Sequence, residues 1–255
     1  MACGHNVSGS ATVDRSPSRG AALSGEQTKV TDFADLAQAM GAAGADHDRL
    51  MLAVEAAVEL IKGCAHAGVT LNRRGECSTL AGSSEVPSMV NDLQNEVGEG
   101  PCHALDRDEE TVICTDLARD QRWPTWGARV HAELGLGSSM SLLIFTARGS
   151  YGTLSLYAER PRAFSAEDLA TAQALAGHLA VSMAASREIN GLGVALASRT
   201  VIGQAEGMVM ERLGVDADQA LAYLKRVSSH TNTKLVDVAL TLVRTRQLPD
   251  AGAQS

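Results

Sequence analysis

The chain has 255 residues, 45% of them apolar and 20% charged, with a formal net charge of −8. That length accommodates a main domain and a smaller one, and the apolar share is ordinary for a soluble globular protein. No apolar run reaches the roughly 20 residues that cross a bilayer, and the N-terminus has no charged-then-apolar signal pattern, so a cytoplasmic protein with no membrane partner is expected.

Residues 1–30 are small, polar and rich in Gly and Ser without periodicity, which predicts a disordered tail. From Thr31 the spacing of Phe33, Leu36, Ala37 and Met40 predicts a short helix ending at Gly41 to Gly44. Met51, Val54, Val58 and Ile61 predict a longer one, with Gly63 as its cap. The period then changes to two. Ala65, Ala67, Val69 and Leu71 alternate with His66, Gly68 and Thr70, the pattern of a half-buried strand, and the polar turn Asn72 to Gly75 makes it a hairpin with Glu76 to Ala81. A middle rich in turn signals carries one short strand, Val112 to Thr115. Strands resume at Ser138 to Phe145 and Gly152 to Tyr157, joined by Arg148, Gly149 and Ser150. Ser165 caps the next helix, with Asp168 in the place of the usual capping-box Glu. An antiparallel sheet with helices packed on it is an α+β fold.

One long helical pattern runs from Leu169 to Arg199. Leu175, Leu179 and Met183 form an early stripe; Ile189, Leu192 and Leu196 form a second, slightly out of phase, too apolar for a lone helix in water. A homodimer through a coiled-coil seam is expected there. Gly191 and Gly193, at about 1 kcal/mol each relative to Ala, soften this segment.

Beyond it the chain reads as three short amphipathic helices. Ile202, Ala205, Met208, Val209 and Leu213 make the first stripe, and Gly214 stands at its C-terminal cap. Asp216 and Gln219 form a capping box for the second, whose stripe is Ala220, Tyr223, Leu224 and Val227. Leu235, Val238, Ala239 and Leu242 make the third. Periodicity alone allows a DNA-binding domain, a docking module or a plain bundle. The run Ser-Arg-x-x-Ile-Gly-Gln-Ala-x-Gly-x-x-Met-Glu-Arg at Ser198 to Arg212, with Ala220, Leu224, Ser228, Asn232, Lys234, Leu235, Val238 and Ala239, closely resembles the ANTAR family over about 50 residues. The resemblance implies an RNA-binding antiterminator that recognises paired hairpins with small loops. Where many members carry Lys between the Ala and Gly of the first helix, this chain has Glu206.

Gly98 to Cys102 (Gly-Glu-Gly-Pro-Cys), Asp116-Leu117, Arg122-Trp123-Pro124, Gly152-x-Leu-x-Leu-Tyr157 and Ala163-Phe164-Ser165 resemble the GAF domains found upstream of ANTAR modules in actinobacterial proteins. That resemblance spans Asp46 to Ala184 and implies a sensory module for a small-molecule effector, the ligand and any cofactor being unknown. The domain reading is a tail over 1–30, a GAF-like sensor over 31–184, a helical connector over 185–198, an ANTAR domain over 199–248 and a tail over 249–255.

Charge divides along the chain. Residues 194–255 hold 7 Lys and Arg against 6 Asp and Glu, whereas residues 1–193 hold 15 against 24. The output domain has a weak electrostatic footprint for a nucleic-acid binder, so affinity has to come from local placement and paired copies. Arg199, Gln204, Gly207, Lys225, Ser228, Asn232 and Lys234 are the candidate RNA contacts: donors for base edges, cations for phosphate, and a glycine admitting close approach. No phosphate loop, G-x-S-x-G or H-E-x-x-H is present, so no enzyme and no catalytic residue is expected. The five cysteines contain no C-x-x-C pair, and no metal site is expected. Cys3 and His5 are set aside as a pair on a floppy tail. Cys64, His66, Cys102, His103 and Cys114 either converge as a metal, haem or redox site or are, for the cysteines, small buried hydrophobes. Trp123 and Trp126 either line a pocket or pin a loop to the core. The rival functions are a DNA-binding transcription factor on the same three helices, and a ligand-binding stress protein whose tail is a dimerisation bundle.

Overall fold

The structure, a computed structural model, describes residues 33–105 and 108–248. The expected tails at 1–30 and 249–255, with Cys3 and His5, lie outside them. The chain divides into two compact units, with the break between Met183 and Ala184.

In the first unit, helix α1 covers 33–42 and α2 covers Asp46–Leu60. Strands β1 (His66–Arg73) and β2 (Glu76–Gly82) form a hairpin. Its two-residue turn has positive φ at both Arg74 (56°) and Gly75 (87°), the twist that a tight hairpin requires, and Asn72 Oδ1 accepts the Gly75 N–H at 3.0 Å. Helices α3 (Val86–Val97) and α4 (Pro101–Ala104), strand β3 (Thr111–Cys114), a 3₁₀ turn (Leu117–Arg119) and α5 (Pro124–Leu134) follow. Strands β4 (Ser138–Thr146) and β5 (Gly149–Ala158) complete a five-stranded sheet of order β2-β1-β5-β4-β3, antiparallel throughout. The fold is α+β, as the alternating periods imply.

Several local expectations need correction. The middle is not irregular but carries α3, α4 and α5. Both longer helices display Pro near the start, Val90 and Leu93 or Trp126 and Val130 on the buried side, and a left-handed Gly98 or Gly135 at the end. Gly149 and Ser150 are not turn residues, since they pair with Thr146 and Phe145. Ile61, not Gly63, caps α2. Strand β1 is buried on both faces, not one: Ala67 and Val69 are fully buried, and so is Thr70 on the opposite side. The reason is α3, which lies close over Gly68 through Pro87 and takes Thr70 and Thr79 as hydrogen-bond partners of Asn91, both at 2.8 Å. On this side of the sheet Val90, Leu93, Val112, Cys114, Leu117, Trp126, Val130, Leu136 and Tyr157 form one core cluster.

Helix α6 runs unbroken from Ala166 to Leu213. Ser165 and Asp168 cap it reciprocally: Ser165 N–H donates to Asp168 Oδ2 at 2.9 Å, and Asp168 N–H to Ser165 Oγ at 3.2 Å. Its first turns bury Leu175, Leu179 and Met183 as expected, and Ser182 Oγ donates to the Met40 carbonyl, tying α6 to α1 at 3.0 Å. No Pro interrupts it, so what reads as a connector and a separate first bundle helix is one continuous element.

The second unit comprises the end of α6 with α7 (Ala217–Thr231) and α8 (Leu235–Thr245). Gly214 ends α6 in the left-handed region at φ 63°, and the Asp216–Gln219 capping box starts α7, Gln219 N–H donating to Asp216 Oδ1 at 2.8 Å. Ala205, Val209, Ala220, Leu224, Val227, Val238, Ala239 and Leu242 are its buried core, with Ile202, Met208, Tyr223 and Leu235 packed around them. Leu213 departs from the expected stripe. It is exposed, and Val215, just past the cap, packs against the core instead.

Candidate nucleic-acid interface

Helix α7 carries Lys225 and Ser228 three residues apart, which places them on one face. The same line continues to Asn232, the residue that ends the helix. Asn232 holds φ 48° and ψ 35°, a left-handed conformation that Asn tolerates better than other residues bearing a Cβ, and its backbone N–H turns back to the Ser228 and Ser229 carbonyls. This end is further closed by Ser228, whose hydroxyl donates to the Thr233 carbonyl at 2.6 Å while Thr233 N–H donates to the Ser228 carbonyl at 3.1 Å. Two residues on, Lys234 stands at the start of α8 and no side chain caps that helix. Lys225, Ser228, Asn232 and Lys234 are therefore gathered along one edge and its turn. The cap uses the backbone of Asn232 and leaves its amide, with the exposed ammonium groups of Lys225 and Lys234, for solvent or a ligand.

Arg199, Gln204 and Gly207 belong to α6 and are exposed. Gly207 has no neighbouring atom within 4 Å of where a Cβ would stand, and the same is true of Gly203, one turn earlier. Glu206 is half-buried. Among the described residues, no hydrogen bond or ion pair joins these α6 side chains to the α7–α8 edge. Arg226, not singled out from the sequence, lies over the Tyr223 ring at 5.7 Å. Its signal was available, since Lys225-Arg226 is the one pair of adjacent cations in this unit.

Among the described residues, nothing covers the second apolar stripe of α6. Ile189, Leu192, Val194 and Leu196 are 66–69% exposed.

In the sensor unit, Glu99 Oε2 accepts the N–H groups of Thr125 and Trp126 at 2.9 and 3.0 Å, capping α5. The Trp126 amide and, to a smaller degree, Thr125 hold the Glu99 carboxyl below its ordinary value. Gly100 has φ 133°, and a Cβ there would collide with Gln94. Trp126 is fully buried and Trp123 meets it edge-on, ring centroids 6.0 Å apart, so this pair pins α5 to the core. The five candidate Cys and His residues do not converge as one cluster. Cys64 bonds to the His66 carbonyl at 3.4 Å, and His66 pairs with Ser84 at 2.9 Å. Burial pushes the Cys64 and Cys114 thiols up to about 12. Cys102 and His103 lie instead beside Cys77, which the sequence reading passed over. Among the described residues, no group of three or more His, Cys, Asp or Glu side chains is placed to hold a metal ion.

An antiparallel α+β unit whose last helix, α6, runs on into a three-helix unit gives a two-unit architecture. Residues 47–184 match the GAF domain family and residues 191–243 match the ANTAR domain family. The chain belongs to the GAF family and carries an ANTAR domain behind it, both regulatory rather than enzymatic families. Among solved structures it is similar to the GAF domain of a phosphoenolpyruvate-protein phosphotransferase from Coxiella burnetii, at 20% identity over 64% of this chain and 96% of that one, TM-score 0.49. The corresponding domain from Acinetobacter is similar at 16% identity over 64% and 98%, TM-score 0.48. A bacteriophytochrome from R. palustris is similar at 12% identity over 83% and 48%, TM-score 0.49. No curated protein matches the chain. Among the described residues, no helix is long and apolar enough to cross a membrane.

Proposed function

We propose that the chain is a cytoplasmic, homodimeric transcription antitermination regulator whose ANTAR domain binds paired hairpins in nascent mRNA, under the control of a GAF-like sensor for a small-molecule effector. The ANTAR match at 191–243 carries this reading. Working boundaries are 31–184 for the sensor, 185–198 for the connector and 199–248 for the RNA-binding domain. Lys234 and Lys225 serve as phosphate contacts, Asn232 and Ser228 read the hairpin loop, and Arg199, Gln204 and Gly207 form a second contact line on α6. The exposed Ile189, Leu192 and Leu196 supply the seam of a parallel coiled coil, with their burial against a second copy as the driving force.

Filter binding of the full chain to paired RNA hairpins and to duplex DNA of matched length tests the reading. Tight binding to the hairpins alone supports it. Preference for duplex DNA identifies the three helices as a DNA reader, and binding to neither leaves a ligand-binding protein with a dimerisation bundle.

A further inference from the structure

Helix α2 ends at Leu60, and β5 passes into α6 through residues 159–165. Between these two turns lies a hollow of about 320 Å³, lined by Lys62, Arg160 and Arg162 together with Gly63, Pro161 and Ala163. A second hollow of about 230 Å³ adjoins it across Gly63, Arg160 and Ala163 and adds one carboxylate, Glu159. Three cations and one acid thus border one concavity. All four side chains are exposed, and among the described residues no ion pair joins any of the three cations to a carboxylate. Like charges gathered in this way repel one another, and they stand in a stretch, residues 1–193, where 24 Asp and Glu outnumber 15 Lys and Arg.

The backbone beneath the two arginines is fastened. Ser138, 1% exposed, donates its hydroxyl to the Arg160 carbonyl at 2.7 Å and accepts the Ala163 N–H at 3.4 Å. Arg162 N–H donates to the Thr115 carbonyl at 2.7 Å. Gly137 lies so close to Arg160 and Pro161 that a Cβ there would collide with their backbone. Arg162 itself holds φ 51°, a left-handed conformation that suits Gly or Asn and is uncommon for a long side chain. The local backbone gives no reason for arginine at this position; a charge wanted at the hollow does.

We propose that this hollow is an anion site, in which Lys62, Arg160 and Arg162 take the phosphate group of a small molecule. The inference stands apart from RNA binding and uses none of its residues. Each planar guanidinium offers paired donors to phosphate oxygens, and the Lys62 ammonium adds a compact charge. A nucleic-acid strand is followed by cations set along its backbone, whereas cations around a small concavity suit one phosphate group with a small ester body.

The test is isothermal titration calorimetry of the full chain at constant ionic strength, with inorganic phosphate and ribose 5-phosphate as probes and chloride as the control. One saturable site per chain is expected. Tighter binding of the ester identifies an organic phosphate as the ligand class, and tighter binding of inorganic phosphate identifies the free anion. Arg162→Gly removes one cation while relieving the left-handed backbone, so the fold is kept and affinity for the preferred probe is expected to fall roughly tenfold or more. Arg160→Gln is expected to do the same, and Arg73→Gln, on the β1–β2 hairpin, to change nothing. No saturable heat with either probe up to about 10 mM, wild-type affinity in Arg162→Gly, or an equal loss in Arg73→Gln overturns the proposal. The wild-type titration decides the first of these even where a variant fails to fold.

Discussion

Asn232 sits at the proposed loop-reading edge and also ends α7, and one pair of substitutions separates the two roles. At φ 48° and ψ 35° the left-handed backbone costs a residue with a Cβ about 1–2 kcal/mol, Asn being one of the residues that tolerate it best. Asn232→Ala therefore destabilises the C-terminal unit by about 1 kcal/mol, which for a unit of 60–100 residues lowers Tm by roughly 4–8 °C. Asn232→Gly meets no such strain and keeps the cap hydrogen bonds, so its stability stays within about 0.5 kcal/mol of the wild type. Both variants lack the amide. If that group hydrogen-bonds a loop base, both lose about 1–3 kcal/mol of RNA affinity, roughly 5- to 150-fold, and lose it mainly for the preferred loop sequence. Thermal unfolding followed by titration of paired hairpins well below Tm reads the two effects apart. Wild-type affinity in Asn232→Gly would refute the reading and leave Asn232 as a helix cap alone.

The remaining predictions concern assembly, avidity and pH. Leu192→Asp combined with Leu196→Asp places two charges per chain on the uncovered stripe of α6, and sedimentation at micromolar concentration is expected to show a monomer where the wild type is a dimer. A monomeric wild type contradicts the seam. Because the output domain is nearly neutral, deleting one of two hairpins should weaken binding tenfold or more, out of an avidity gain on the order of 10²–10⁴; equal affinity for single and paired hairpins argues against two copies acting together. Lys234→Ala should weaken all hairpins alike and reduce the slope of log affinity against log salt by about one charge, whereas an unchanged slope removes Lys234 from the phosphate contacts. Glu99 has a lowered folded pKa because it accepts the Trp126 and Thr125 N–H groups. Its contribution to stability is therefore complete above the ordinary glutamate value of about 4.3 and is lost as pH falls through the lower folded value. Glu99→Gln should flatten the fall in urea midpoint across that acid range, and an identical pH profile would assign the acid sensitivity elsewhere.

Local sequence determined much of this protein. The apolar period of 3.6 in Ala220, Leu224 and Val227 and in Val238, Ala239 and Leu242 defines the output helices, because only one face of each can leave water. The Asp216–Gln219 and Ser165–Asp168 boxes mark helix starts through bonds that span three residues and need no distant partner. The family motifs around Gly98 to Cys102 and Ser198 to Arg212 were legible for the same reason. What only the tertiary structure decided involves groups far apart in the chain. Strand β1 is buried on both faces because α3 arrives over Gly68 and Thr70, and Gly100 is needed because Gln94 occupies the space that its side chain would take. The continuity of α6 hides two readings in one element, since its first stripe is buried against the first unit and its second, among the described residues, is left exposed. Cys77 and Cys102 are 25 residues apart, neither in a C-x-x-C pair. Side chains of β1 and α3 nevertheless fasten the backbones of both, Asn95 that of Cys77 and Gln94 and Asn72 that of Cys102, an arrangement that periodicity, which sees only neighbours along the chain, cannot express.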